Sequence, residues 1–274
     1  MFSKLLKHDW KATSGLLGIL SLCALGAGVL GIFVIRGMAY IASLEYYSDD
    51  TTAAVLGTTG LGSIMTFLCL GLVAYVLAVQ FITIFRFYKS RFTDEGYLTF
   101  TLPVNSHQIF LSSFLNILTW LVISVLVVLL AVVMMVVATV WGESGDGGTT
   151  EDILVREPGY GLYVFLTITS VITAVIHHIV MIMTSITMGA TLAKKHKILA
   201  SIGIYYGIST VVSVITAVIS VFPYMQTVYA VLFGAEYYAY LNSTMTLTIL
   251  LQLAFIVGGY FLSSGMMKNK LNLP

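Results

Sequence analysis

Hydrophobic and polar positions along this chain fall into long blocks. Six stretches contain no Asp, Glu, Lys or Arg: residues 14–35, 57–85, 108–141, 159–193, 199–222 and 242–267. A helix needs roughly 20 predominantly apolar residues to cross about 30 Å of hydrocarbon. Each block meets that length, and the longer ones call for tilt, a kink or extension past the lipid. A membrane barrel would show short alternating strands instead. Helices satisfy their own backbone groups where no water reaches. The pattern therefore predicts an all-α integral membrane protein, a single six-span domain over residues 1–274.

Composition agrees with that reading and excludes a soluble domain. Apolar residues make up 58% of the chain and charged ones 9%, and the mean hydropathy is +0.98. Ordinary globular domains carry about 25% charge. The net charge of +1 hides a strong segregation. Lys4, Lys7, Lys11, Arg86, Lys89, Arg91, Lys194, Lys195, Lys197, Lys268 and Lys270 all fall on one side of the alternation. Only Arg36 and Arg156 fall on the other, together with Glu45, Asp49, Asp50, Glu143, Asp146, Glu151, Asp152, Glu157 and Glu236. By the positive-inside rule both termini are expected in the cytoplasm. An even number of spans closes that alternation.

Several local patterns sharpen the picture. Phe2, Leu5, Leu6 and Trp10 share one helical face and Lys4, Lys7 and Lys11 another. That predicts an interfacial helix over residues 1–13, anchored in the bilayer surface. The aromatic segment 223–241, beginning at Pro223, reads as a short re-entrant or interfacial element after the fifth span, the alternative being simple extension of its neighbours. Gly26, Gly28 and Gly31 form a Gly-x-Gly-x-x-Gly spacing. They lie inside a span without a preceding strand, so helix packing is expected rather than nucleotide binding. Cys23 and Cys69 are expected to be buried small hydrophobes. Gln80, Asn116 and Gln252 are expected to bond between helices.

Chemistry is sparse. The chain contains no phosphate-binding loop, no His-Glu-x-x-His and no Cys-x-x-Cys. No enzymatic activity, bound metal or nucleic-acid partner is expected of it. His177 and His178 are the strongly ionisable side chains deep in a span, and so are candidate pathway residues. The simpler reading is a neutral pair hydrogen-bonded within the bundle. Adjacent positions point about 100° apart on a helix, so one metal ion is a poor fit for both. The spans carry no carboxylate to bind a coupling ion.

The most informative polar interruption is "FRFYKSRFTDEGYLTFTLPVNSHQIF", residues 85–110. Thr93 can cap a short helix, with Asp94 and Glu95 at its positive end. Gly96 limits or bends it. Tyr97, Leu98, Phe100 and Leu102 give it an apolar face, and Pro103 ends it. Asn105 or Ser106 then caps the third span, with Gln108 reaching back if Asn105 is the cap. Taken alone, this is a short ordered helix at the cytoplasmic ends of spans two and three. It is either a knob for a partner or an ordinary interfacial helix.

These residues resemble the stretch after the second span in bacterial ABC transporter permeases of the type-2 exporter class. The match falls on Asp94, Glu95, Gly96, Tyr97, Leu98, Thr99, Leu102 and Pro103. "MFSKLLKHDWKAT" is similar to that family's N-terminal interfacial helix. Members often carry a basic residue shortly after the proline turn, where this chain has Ser112-Ser113. The resemblance implies a permease subunit of the bacterial plasma membrane. It would pair with a second permease, with spans two and five facing it. A separate ATPase subunit would hold ATP and Mg, so no cofactor is expected on this chain. The implied coupling helix spans about 90–103 and includes Arg91, Thr93, Asp94, Glu95, Gly96, Tyr97, Leu98, Phe100 and Pro103. Peptides or other amphiphiles are the implied cargo. The competing expectations are a non-transporting scaffold or sensor, and a secondary carrier using His177 or His178.

Overall fold

The structure is a computed structural model that describes residues 2–47, 51–93, 96, 105–140, 160–193, 195–233 and 237–269. Six helices account for nearly all of them: α1 (Phe2–Tyr47), α2 (Thr51–Phe92), α3 (Ser106–Val140), α4 (Tyr160–Leu192), α5 (Lys197–Phe233) and α6 (Tyr237–Asn269). No strand occurs among the described residues. All six helices are long and apolar enough to cross a membrane. The chain is an all-helical multi-pass membrane protein.

The helices are longer than the apolar blocks that announced them. At 1.5 Å per residue, α1 is about 69 Å long, whereas a bilayer with its headgroups is about 40–45 Å thick. No break separates residues 2–13 from the span that follows. The expected separate interfacial helix is therefore the first turns of α1. Nothing in "KATSGLLG" forces a break: Gly15 and Gly18 each weaken a helix by only about 1 kcal/mol. The expected amphipathy is present. Lys4, Lys7 and Lys11 are exposed, and Phe2, Leu5 and Leu6 are half-buried. Trp10 stacks on Trp120 with ring centroids 4.8 Å apart, so protein holds it on one side.

A second correction concerns residues 223–241. Pro223 does not end the fifth helix, which continues to Phe233, and α6 begins at Tyr237. The aromatic segment is divided between two long helices. Proline removes one backbone donor, but the flanking apolar residues extend the helical ladder on both sides.

The described residues form two compact units. The first lies within Ser3–Arg86 and Leu115–Gly148. Its core is Leu17 and Ala24 from α1, Leu72, Tyr75 and Val79 from α2, and Trp120, Ala131 and Met135 from α3. Spacings of three, four, seven and eleven put each set on one helical face. Small residues let the backbones approach. A Cβ on Gly28 would sit 2.8 Å from the Cβ of Ala131, and one on Gly31 would overlap Met135. Gly26 has open space around it and takes no part in that contact. The Ser21 and Tyr75 hydroxyls share a 2.8 Å hydrogen bond between α1 and α2.

The second unit lies within Met1–Phe2, Phe87–Phe114 and Thr149–Pro274. Here α4 and α6 meet along a polar seam. Thr173 Oγ1 donates to Gln252 Oε1 at 2.5 Å, and Ser263 Oγ donates to Thr184 Oγ1 at 2.9 Å. Both pairs are 79 residues apart in sequence, so the two helices run parallel and in step. Thr184 Oγ1 also lies 3.2 Å from the Gly259 carbonyl oxygen and within donating distance of Val180 O. A Cβ on Gly259 would crowd Val180 and Thr184. Between α4 and α5 the approach is tighter still: a Cβ on Gly189 would lie 2.5 Å from the Ser201 backbone nitrogen.

Most buried hydroxyls look inward to their own helix. Ser112, Ser124, Ser185 and Thr187 donate to carbonyls three or four residues back. A hydroxyl so bonded is satisfied where no water is available.

Candidate functional site

The stretch singled out by sequence begins where α2 ends. Phe87, Arg91 and Phe92 are all buried, at 3%, 1% and 3% exposure. The Phe87 and Phe92 rings meet edge to face at 5.6 Å. Arg91 and Phe92 finish α2, so the expected short helix does not begin at residue 90. Burying a guanidinium is costly unless its donors are bonded. Arg91 Nε donates to Ser113 Oγ at 3.2 Å, and Ser113 Oγ donates in turn to Ile109 O at 3.2 Å.

This contact gives a buried cation a neutral partner in Ser113. With Arg91 buried against it, a second cation there would face a like charge in a low-dielectric setting. A neutral hydroxyl accepts the arginine instead.

Thr93 differs from its expected role. Its hydroxyl donates back to Lys89 O and so satisfies a carbonyl at the C-terminus of α2. Its own carbonyl accepts from Gly96 N at 2.8 Å. Gly96 is buried, and a Cβ there would lie 2.8 Å from the Arg91 carbonyl carbon and closer still to its oxygen. Only glycine fits. Asp94, Glu95, Tyr97, Leu98, Phe100 and Pro103 lie outside the described residues. At the start of α3, Gln108 N and Ile109 N bond Asn105 O at 2.9 and 3.2 Å. Asn105, not Ser106, is therefore the capping position.

His177 and His178 diverge as their adjacency requires. The His177 ring lies 5.9 Å from that of Phe255 on α6, and the His178 ring 6.3 Å from that of Tyr205 on α5. No group of metal-ligating side chains forms among the described residues. His177 Nε2 is buried without a hydrogen-bond partner, so the expected hydrogen bonding of this pair within the bundle is not seen at that nitrogen. Of the three amides expected to join helices, Gln252 does so. Asn116 Oδ1 is buried without a partner. Cys23 and Cys69 are exposed on their helices rather than buried. Lipid is as apolar as a core, so burial offers a small hydrophobe no advantage.

Sequence reasoning missed two polar contacts here: Arg91 with Ser113, and His107 Nδ1 with Tyr260 Oη at 2.9 Å. The spacing of Phe87 and Arg91, one helical turn apart, was the available signal that the arginine shares a buried face. Comparison of the chain with family models, curated proteins and solved structures finds no match.

Proposed function

We propose that this chain is the membrane-spanning permease subunit of an ATP-driven exporter of the ABC type-2 class. In this reading both termini lie on the cytoplasmic side of a bacterial plasma membrane. Two permeases pair to enclose the substrate path, and a separate ATPase supplies energy. This chain performs no catalysis, and ATP and Mg stay on the partner. The observation that carries the reading is the stretch from Asp94 to Pro103, together with the place of Gly96 in it. Gly96 is packed onto the Arg91 carbonyl, which only glycine allows. The family-like segment thus starts from the buried end of α2. A push on it would be delivered to that helix through Arg91, Ser113 and the Phe87–Phe92 pair.

Purification of the tagged chain from its native membrane in mild detergent tests this directly. A nucleotide-binding protein should accompany it, and Glu95→Arg or Tyr97→Ala should lower ATP-dependent transport at least about tenfold, the effect of losing about 1.4 kcal/mol of coupling. Absence of any such protein, with both variants transporting normally, sinks the proposal. One observation favours a proton-driven carrier instead: the unpartnered His177 Nε2. Transport that collapses with the proton gradient while ATP is held constant would select that reading.

A further inference from the structure

The second unit contains an apolar groove that neither the coupling stretch nor the histidine pair uses. It has a volume of about 410 Å³ and is lined by α3, α4 and α6. Phe110 and Val180 form its floor, at 1% and 3% exposure. Leu111, Val257 and Phe261 form its rims, at 42%, 53% and 64% exposure. Its lining side chains are aliphatic or aromatic, and the one polar atom among them, Tyr260 Oη, is bonded to His107. On α6 the lining runs from Ile256 to Phe261, about 8 Å along the axis. These helices are long and apolar enough to cross a membrane, so hydrocarbon is the medium an open apolar side would meet.

One end of the groove is polar. His107, Leu111 and Phe114 occupy one face of α3 at helical spacing, with His107 in the first turn. His107 is exposed, and its Nδ1 bonds Tyr260 Oη. With the tyrosine hydroxyl as donor, His107 Nε2 keeps its hydrogen and is a donor for an anion. Lys268 is exposed seven residues beyond Phe261, on the same stripe of α6. An apolar slot with an N–H donor at one end and an exposed lysine about 10 Å further along the same stripe complements an anionic amphiphile.

We propose that this groove binds the acyl chain of an anionic phospholipid from the bilayer, with the phosphate at His107 and Lys268 and with Tyr260 holding the histidine in place. The proposal does not depend on the transport reading. Exchange of hydrocarbon between lipid and groove brings no hydrophobic gain. Binding rests on packing against Phe110 and Val180 and on the headgroup contacts, so it is selective rather than tight.

Native mass spectrometry of the detergent-purified full chain, given equal amounts of phosphatidylglycerol and phosphatidylcholine, tests this. Wild type should retain one phospholipid, with phosphatidylglycerol favoured about five-fold, a difference of about 1 kcal/mol. Val257→Trp should block the mouth and lower retention about five-fold with helicity unchanged, on the same scale. Leu111→Trp, on the other rim, gives the same readout should Val257→Trp not fold. His107→Ala should keep the lipid and lose the preference for the anionic headgroup. Unchanged retention in a folded rim variant, unchanged preference in His107→Ala, or a retained molecule other than a phospholipid each overturns the proposal.

Discussion

The two units solve the same problem by different means. In the unit built on α1, α2 and α3, the interface is shape. Gly28 and Gly31 admit Ala131 and Met135, Trp10 covers Trp120, and the Ser21–Tyr75 bond adds a single hydroxyl pair. In the other unit, α4 and α6 are joined by hydroxyls and an amide at matched depths: Thr173 with Gln252, and Thr184 with Ser263 and Gly259. Lipid supplies no hydrophobic force between helices, so close packing and interhelical hydrogen bonds remain as the adhesives. A seam of small side chains is sensitive to added volume. A seam of hydroxyls is sensitive to their removal.

Reversible unfolding in mixed micelles can break that distinction. The largest effect is expected at Gly189, where backbone meets backbone: Gly189→Val should cost about 3 kcal/mol, the upper range for overpacking. Next is Gly31→Leu, at about 2 kcal/mol, set against Gly26→Leu, which has open space and should stay within about 0.5 kcal/mol. Equal costs at these two positions would remove the packing account of the first unit. Thr184→Val should cost about 1 kcal/mol, and its cycle with Ser263→Ala should show coupling of about 0.6 kcal/mol. Zero coupling would mean the seam is geometry without energy. Smallest is Tyr75→Phe, which deletes the bond to Ser21 and should cost about 0.6 kcal/mol.

The candidate coupling site was partly legible. Glycine in Asp94-Glu95-Gly96-Tyr97 stood out, and the structure gives it a steric reason in the Arg91 carbonyl. Thr93 was read as facing forward, whereas its hydroxyl turns back to Lys89. Both choices satisfy a helix end, and only the path of the chain selects between them. Ser113 was not read as a partner of the arginine, yet it is the acceptor for Arg91. Such a pairing joins positions 22 residues apart, beyond any local pattern.

By itself the sequence determined the number of spans, their apolar blocks and the segregation of charge, because the cost of exposing backbone and charge to lipid is set locally. It narrowed the cap of α3 to Asn105 or Ser106, since capping is decided within a few residues, and the backbone bonds of the structure chose Asn105. It did not determine where helices stop outside the lipid, as α1 and α5 show by running through residues 2–13 and Pro223. Nor did it separate Gly31 from Gly26, His177 from His178, or a buried cysteine from an exposed one. Those depend on which face of a uniformly apolar helix meets another helix, and hydropathy is silent where every face is apolar. Tertiary packing decided them, through the volume available at each Cβ and the few polar atoms that find partners across a seam.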